Sequence, residues 1–185
     1  MNTRITAISI AVLFQVAGVS FSQTSGPNQI AEMQMAAMSK NDWVTFTSFM
    51  HPEALESFKE IFAAVISMDE SGEVANELFG VSDLSLYKQK NAAEIFISFM
   101  DIINSAAPEL MGIARDAKYQ ILGYVTEGPE LAHVVYRLTV SVEGVSMSSL
   151  AVETYKQYNG QWKSLLRKEV NDIVKLIQDS IQEEE

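Results

Sequence analysis

Glu153 and Tyr155 stand two residues apart in a segment of alternating apolar and polar residues. Side chains alternate across a strand, so both project from one face. The strand register derived below places Tyr136 on that face as well. A carboxyl group desolvated there has a raised pKa and can act as a general acid or base. Tyrosine hydroxyls can donate hydrogen bonds to a developing oxyanion. Glu153, Tyr136 and Tyr155 are therefore the candidate catalytic residues.

A structural interpretation of the same three residues stays open. Glu153 can lie at a rim, either wet or paired with a lysine or arginine, because buried carboxylates are rare in proteins. The tyrosines can be core residues whose hydroxyls have partners elsewhere.

Other common chemistry has no support in the sequence. His51 and His133 are the only histidines, and they are too far apart for a metal motif such as His-x-x-x-His. The chain has no cysteine, which excludes thiol nucleophiles, disulfides and iron–sulfur clusters. It contains neither a Gly-x-Ser-x-Gly motif nor a glycine-rich phosphate loop. We predict no metal site and no cofactor, and we expect His51, which precedes Pro52, to cap a helix.

Residues 117–167 read as four consecutive strands joined by short turns. Asn159-Gly160 and Glu143-Gly144 are two-residue hairpin turns, because these residue types tolerate positive φ. The first turn predicts the pairs Gln157–Trp162, Tyr155–Ser164 and Glu153–Leu166. The second predicts Val142–Val145, Val140–Met147, Leu138–Ser149, Tyr136–Ala151 and Val134–Glu153. A break at Gly128-Pro129 predicts that Val125 pairs with Ala132 and Ile121 with Tyr136.

These registers agree on one apolar face, and a slip of one residue would destroy the agreement. We expect helices to cover this face, which carries Tyr119, Ile121, Val125, Val134, Tyr136, Leu138, Val140, Met147, Ala151, Trp162 and Leu166. The predicted ligand pocket on it consists of Tyr119, Ile121, Val134, Tyr136, Ser149, Ala151 and Trp162. Its small residues either line a cavity or accommodate large helix side chains such as Phe58 and Phe99. The opposite face is mixed, and its apolar residues make it a candidate homodimer interface.

The half of the chain before residue 117 is predominantly helical. Apolar residues recur there at helical spacing, Asp42 can cap one helix, and Asn91 with Glu94 has the spacing of a capping box. The predicted fold class is α+β. N-terminal helices pack on the concave face of a curved four-stranded antiparallel sheet, and a C-terminal helix follows at residues 168–182.

Residues 1–22 have the pattern of a signal peptide, with Arg4 before an apolar run at residues 5–19. A membrane anchor is the alternative, but the run is shorter than the roughly 20 residues that span a bilayer. We predict an exported protein, periplasmic or secreted, with a linker at residues 23–28 and a single domain at residues 29–185.

The chain is acidic, with a formal net charge of −11 over 185 residues. A surface of this charge repels phosphate backbones and anionic lipid. We therefore expect no nucleic-acid partner, and no membrane association once the signal peptide has been removed.

Residues 42–62 (DWVTFTSFMHPEALESFKEIF) and 131–142 (LAHVVYRLTVSV), in a layout of helices followed by long antiparallel strands, resemble the nuclear transport factor 2-like superfamily, also called SnoaL-like or cystatin-like. The likeness is to an exported bacterial branch without a settled function. The chain departs from the usual pattern in a helix at residues 52–66, where many members place a short strand, and in its last helix. The resemblance implies a cup-shaped pocket. It implies no particular reaction, because members include isomerases, dehydratases, polyketide cyclases and binding proteins.

Three functions follow as hypotheses. The leading one is an exported non-catalytic domain that binds a small apolar ligand or a protein partner in the cup. The second is an isomerase- or dehydratase-type enzyme with Glu153 as general base and Tyr136 and Tyr155 as hydrogen-bond donors. The third is a structural or assembly role.

Overall fold

The computed structural model describes residues 25–69 and 71–167. The predicted signal peptide and the predicted helix at 168–182 lie outside the described residues. Within them the helices are α1 (Pro27–Met38), α2 (Trp43–Ser48), α3 (Pro52–Met68), α4 (Glu73–Phe79), α5 (Leu84–Gln89), α6 (Ala92–Ala106) and α7 (Pro108–Asp116). The strands are β1 (Lys118–Glu127), β2 (Leu131–Val142), β3 (Val145–Tyr158) and β4 (Gln161–Ser164). They form one antiparallel sheet in the order β1-β2-β3-β4, which confirms the predicted α+β class.

Local signals in the sequence account for several helix boundaries. The Asp42 carboxylate accepts a hydrogen bond from the Thr45 N–H at the start of α2. His51 Nδ1 accepts one from the Glu53 N–H, which confirms its expected capping role on α3. Asn91 and Glu94 form the expected capping box at the start of α6. Two helices, α5 and α7, were not predicted.

The helices α3 to α6 form an aromatic core of their own. Phe58 and Phe62 lie on α3, Phe79 on α4 and Phe99 on α6, and their rings contact one another with centroids 4.7–6.2 Å apart. Phe58 and Phe99 therefore pack within this helical cluster. The buried members of the cluster are Met50, Ala54, Phe58, Phe62, Val65, Ile66, Ala75, Phe79, Val81, Tyr87, Ile95 and Phe96.

A second, smaller core joins α1 to the sheet. Ile30 and Ala31 of α1 pack against Val134 and Tyr155, and Ile121, Phe49 and Trp162 surround them. We call the sheet face that carries Val134 and Tyr155 the inner face, and the opposite one the outer face. The inner face at this core is thus covered by α1, the first helix of the described residues.

Both two-residue turns are confirmed. Glu143 and Asn159 adopt positive φ, as do the glycines that follow them. The pairings they fix match the predicted ones from Val134–Glu153 to Val142–Val145 and from Tyr155–Ser164 to Gln157–Trp162. β4 ends at Ser164, so the predicted pair Glu153–Leu166 falls beyond it.

The prediction for Val125 is wrong. A β-bulge between Ile121 and Gly123 adds one residue to β1, so Val125 pairs with His133 on the outer face and is 65% exposed. Gly123 adopts a φ of 144°, which other residues rarely reach, and the bulge depends on it. The pair Ile121–Tyr136, on the other side of the bulge, is confirmed.

The far end of the β2–β3 hairpin extends beyond the helical layer, contrary to expectation. Val145 and Met147 lie on the inner face, yet both are exposed. The 14 residues of β3 span about 46 Å at strand spacing, whereas the 12 residues of α1 span about 18 Å. The inner face is therefore longer than the helix that packs on it.

The edge of β4 pairs with the chain between α2 and α3. The Ser164 N–H donates to the Phe49 carbonyl and the His51 N–H donates to the Ser164 carbonyl, both at 2.8 Å. Met50 and Ser164 thus form an isolated parallel bridge. Pairing of this kind protects a sheet edge from other chains.

Candidate functional site

The strand register assembles the predicted catalytic residues on the inner face. Glu153 pairs with Val134 and Tyr136 with Ala151, while Tyr155 lies two residues beyond Glu153 on the same side of β3. Ile121 pairs with Tyr136 and Tyr119 with Leu138, which brings β1 into the same group. A carboxyl group and three tyrosines therefore share one region of the sheet.

Burial raises the pKa of the Glu153 carboxyl, because a desolvated carboxylate loses its hydration. The positive charge of Arg167 and the neighbouring Tyr155 hydroxyl act in the opposite direction and favour the ionised form. Burial is the largest effect. Glu153 is thus an acidic group that holds its proton more tightly than an exposed glutamate does.

Tyr155 is fully buried, and its hydroxyl donates to Gln34 Oε1 of α1 at 3.0 Å. Gln34 Nε2 in turn donates to Ser164 Oγ at 2.7 Å. Burial, reinforced by the neighbouring Glu153, raises the pKa of Tyr155. The hydroxyl that was predicted to donate to an oxyanion thus donates to Gln34 instead. Tyr155 is therefore part of the contact between α1 and the sheet.

Tyr136 and Tyr119 differ in access. Tyr136 is 2% exposed, and its ring centroid lies 6.0 Å from that of Tyr119. Burial, with Tyr136 alongside, raises the pKa of Tyr119 to about 12. Tyr119 also reaches a groove of about 240 Å³ lined by Glu32, Met35, Ala36, Ser39, Ala117, Tyr119 and Ile121. Tyr119 is therefore the tyrosine of this group that borders an opening.

A larger pocket of about 640 Å³ lies where α1, the end of α2 and the β3–β4 hairpin meet. It is lined by Ser25, Ile30, Met33, Ser48, Phe49, Asn159, Gly160, Gln161, Trp162 and Lys163. The Lys163 ammonium donates to the Ser48 carbonyl, and burial lowers the pKa of this lysine. We call this opening the hairpin pocket.

The predicted pocket residues are distributed over several environments. Tyr119 and Ile121 line the small groove, Trp162 lines the hairpin pocket, and Val134 and Tyr136 are buried in the core. Ala151 is half-buried, and Ser149 is exposed because it lies on the far part of the hairpin.

Gln34 and Lys163 are the polar residues of these sites that sequence reasoning missed. Gln34 stands four residues after Ile30 and three before Ala37, so it lies on the buried stripe of α1. A polar residue on an apolar stripe is a signal for a buried hydrogen bond. Lys163 lies on the outer face of β4, and only the contact with Ser48 brings it to the hairpin pocket, so no local pattern marks it.

Metal-binding clusters and membrane-spanning helices are two further features that could indicate a function. None of their histidine, aspartate and glutamate side chains form a group of three or more that could hold a metal ion. None of the helices α1 to α7 combines the length and apolar character that crossing a bilayer requires, within the part of the chain that the structure describes.

The change of Glu153 to glutamine tests the electrostatics of the site. The pKa of Glu153 is higher in the folded state than in the unfolded state. The protonated form therefore contributes fully to the free energy of unfolding below the unfolded-state pKa, and this contribution is lost as the pH rises through the folded-state pKa. Glu153→Gln has no charge to desolvate. We expect the variant to gain free energy of unfolding relative to wild type at about pH 8, and to show less gain at about pH 4.

Urea denaturation at the two pH values measures this difference. Glu56→Gln makes the same chemical change at an exposed position of α3 and serves as the matched control. A Glu153→Gln variant that is less stable than wild type at the higher pH would show that the ionised carboxylate is a net stabilising group.

No family model matches the chain, and no curated protein matches it. A solved structure described as an NTF-2-like protein of unknown function from Shewanella oneidensis MR-1 aligns with a TM-score of 0.41 and 10% sequence identity, over 75% of this chain and 91% of that one. A likeness at this level concerns the fold alone and carries no information about function.

Proposed function

We propose that this chain is an exported domain that binds a small apolar ligand in the hairpin pocket without transforming it. The observation that carries the proposal is the pocket itself. Its volume of about 640 Å³ lies within the range of small-molecule sites, about 300–1,000 Å³. Export is proposed from the apolar run at residues 5–19, and N-terminal sequencing of the mature protein tests it.

The lining residues indicate the chemistry of the ligand. Ile30, Met33, Phe49 and Trp162 offer apolar and aromatic contact, while the remaining lining residues are polar or glycine and include the Lys163 ammonium group. An apolar molecule with an anionic or hydrogen-bond-accepting group at one end would match both. Mass spectrometry of molecules that remain bound through purification identifies such a ligand without a prior guess.

We expect the fluorescent probe 1-anilinonaphthalene-8-sulfonate, which is aromatic and anionic, to bind the hairpin pocket and quench Trp162. Lys163→Met is expected to weaken binding by about tenfold, the lower limit for a lost hydrogen bond to a charged group, because the lysine is only partly buried. Fluorescence titration measures the change. Trp43, the second tryptophan, is 4% exposed and should contribute a constant background.

Lys118→Met is the matched control, since Lys118 is an exposed lysine of β1 that is not among the residues lining this pocket. Equal probe affinity in wild type, Lys163→Met and Trp162→Phe would place the binding elsewhere and overturn the proposal.

The half-buried carboxyl group of Glu153, with its raised pKa, favours a second candidate function. An isomerase or dehydratase would use Glu153 as its general base and Tyr136 as a hydrogen-bond donor, and the raised pKa of Glu153 suits proton transfer. Tyr155, the other predicted donor, already gives its proton to Gln34. Under this proposal Glu153→Gln abolishes turnover of an identified substrate while the fold is kept. A stabilised variant with full activity would exclude it.

The outer face of the sheet offers a surface for a protein partner. Leu150 and Val152 are large apolar residues of the outer face, 61% and 54% exposed. We propose that this part of the sheet supports a homodimer, and sedimentation equilibrium of the full chain tests it.

A further inference from the structure

His133 lies on the outer face of β2 between two side chains from the neighbouring strands. Its Nε2 is 2.9 Å from Glu127 Oε2, at the end of β1. Its Nδ1 is 3.1 Å from Thr154 Oγ1, on β3. The pairing of His133 with Thr154 across the sheet fixes this arrangement. A carboxyl, an imidazole and a hydroxyl group therefore form a row, each within hydrogen-bond distance of the next.

The carboxylate determines where the proton of a neutral imidazole resides. An ionised carboxylate only accepts hydrogen bonds, so the His133 nitrogen that faces Glu127 must carry the hydrogen. Nδ1 then has a free lone pair, and it accepts the hydroxyl proton of Thr154. This orientation makes the imidazole a general base toward a hydroxyl nucleophile.

Next to this row of side chains is a cavity that Glu127 lines and that His133 and Thr154 do not. It measures about 450 Å³ and is lined by Glu127, Pro129, Glu130, Leu131, Lys156 and Leu165. The Leu165 N–H donates to the Thr154 carbonyl at 2.8 Å, which places this part of the lining next to the nucleophile. The His133 side chain is 31% exposed and that of Glu127 73%, so solvent and small molecules reach the group.

Lys156 lines this cavity together with two acidic residues, Glu127 and Glu130. It follows Thr154 by two residues and so projects from the same face of β3. Its ammonium group donates to the Glu53 carboxylate at 2.7 Å. The charge of this ammonium group is therefore balanced by a carboxylate of α3.

We propose that Thr154, His133 and Glu127 form an acyl-transfer site for small carboxylic esters, and that the neighbouring 450 Å³ cavity holds part of the substrate. The proposal is independent of the hairpin pocket and of Glu153. Thr154 and His133 are the catalytic residues, and Glu127 is a positioning residue that acts through the imidazole.

The reaction has two balanced halves. Thr154 Oγ1 forms a bond to the ester carbonyl carbon and gives its proton to His133 Nδ1. The tetrahedral intermediate then breaks its bond to the leaving oxygen, which receives that proton. Water attacks the acyl–threonine ester and gives one proton to His133. The imidazole returns this proton to the threonine oxygen as the carboxylic acid departs.

The test uses the full chain and p-nitrophenyl acetate. We expect release of nitrophenolate and an acetyl group that peptide mapping by mass spectrometry locates on Thr154. Thr154→Val and His133→Asn are each expected to lower the rate by about 100-fold, the contribution typical of general base catalysis. Thr154→Ser keeps the hydroxyl and should keep the activity.

Thr139→Val is the matched control, because Thr139 is a hydroxyl residue of the outer face that contacts Ser148 at 3.2 Å. It should react like wild type. Glu127→Gln should lower kcat by about tenfold with little change in KM, and the nitrogen-15 NMR shifts of His133 should report a changed tautomer.

Three results would overturn the proposal: wild type no faster than Thr154→Val, acetyl groups found on lysines alone, or loss of rate in His133→Asn together with full rate in Thr154→Val. The last result would make the imidazole itself the nucleophile. The contact with Thr154 would then be a structural cross-strand hydrogen bond.

Discussion

Replacing Phe62 with alanine is expected to lower the free energy of unfolding by about 4 kcal/mol, within the range for deleting a buried phenylalanine. Phe62 is 1% exposed, and its ring contacts those of Phe58, Phe79 and Phe99 at 4.7–5.3 Å. These neighbours belong to three different helices, and each is held by other rings. These neighbours cannot move into the cavity that removal of the Phe62 ring leaves, so the lost contacts are not replaced.

Urea denaturation followed by circular dichroism measures this loss. Leu110→Ala is the matched control, since Leu110 is an apolar residue of α7 that is 65% exposed, and its expected change is within about 0.5 kcal/mol. A loss below about 1 kcal/mol for Phe62→Ala would mean that the aromatic cluster of α3 to α6 is loosely packed.

Gln34→Leu is expected to be nearly as damaging, with a loss of about 3 kcal/mol, because it leaves two buried hydroxyl groups without their amide partner. Gln34, Tyr155 and Ser164 are each no more than 2% exposed. Leucine fills similar space but neither accepts from Tyr155 nor donates to Ser164. The cost comes from polar groups that have lost both water and partner.

The triple variant Gln34→Leu, Tyr155→Phe, Ser164→Ala is the control for this prediction. The triple variant removes the two hydroxyl groups that Gln34→Leu leaves without their amide partner, so it should recover most of the stability lost by Gln34→Leu. Denaturant midpoints of the single and triple variants measure the coupling. Additive losses would show that the three side chains do not act as one network.

The hairpins could be predicted from the sequence because their turns are local. A two-residue loop needs positive φ, and Asn159-Gly160 and Glu143-Gly144 meet that need with neighbouring residues alone. The register of β2 and β3 then follows from alternation. The same reasoning placed Glu153 on the face that packs against α1.

The bulge in β1 could not be located in the same way. Gly123 marks β1 as unusual, but nothing in its neighbours says which residue is the additional one. That choice depends on β2, which must pair on both sides of the bulge. The consequence was the wrong face for Val125.

The candidate sites depend on contacts between distant residues. Gln34 and Ser164 are separated by 130 residues, and Lys163 and Ser48 by 115. The helical pattern of α1 shows which stripe is buried, but it does not show which strand receives it. Glu127, His133 and Thr154 come together only because β1, β2 and β3 are neighbours in the sheet.

The bridge between Met50 and Ser164 joins two segments that are synthesised at different times, so folding around this bridge can be completed only late in synthesis. A nascent chain on the ribosome exposes the segment around Met50 long before Ser164 has been polymerised. Loop closure over such a separation is slow compared with helix formation. The early helices therefore emerge without the strand that they will join, and the final closure waits for almost the entire described chain to leave the exit tunnel.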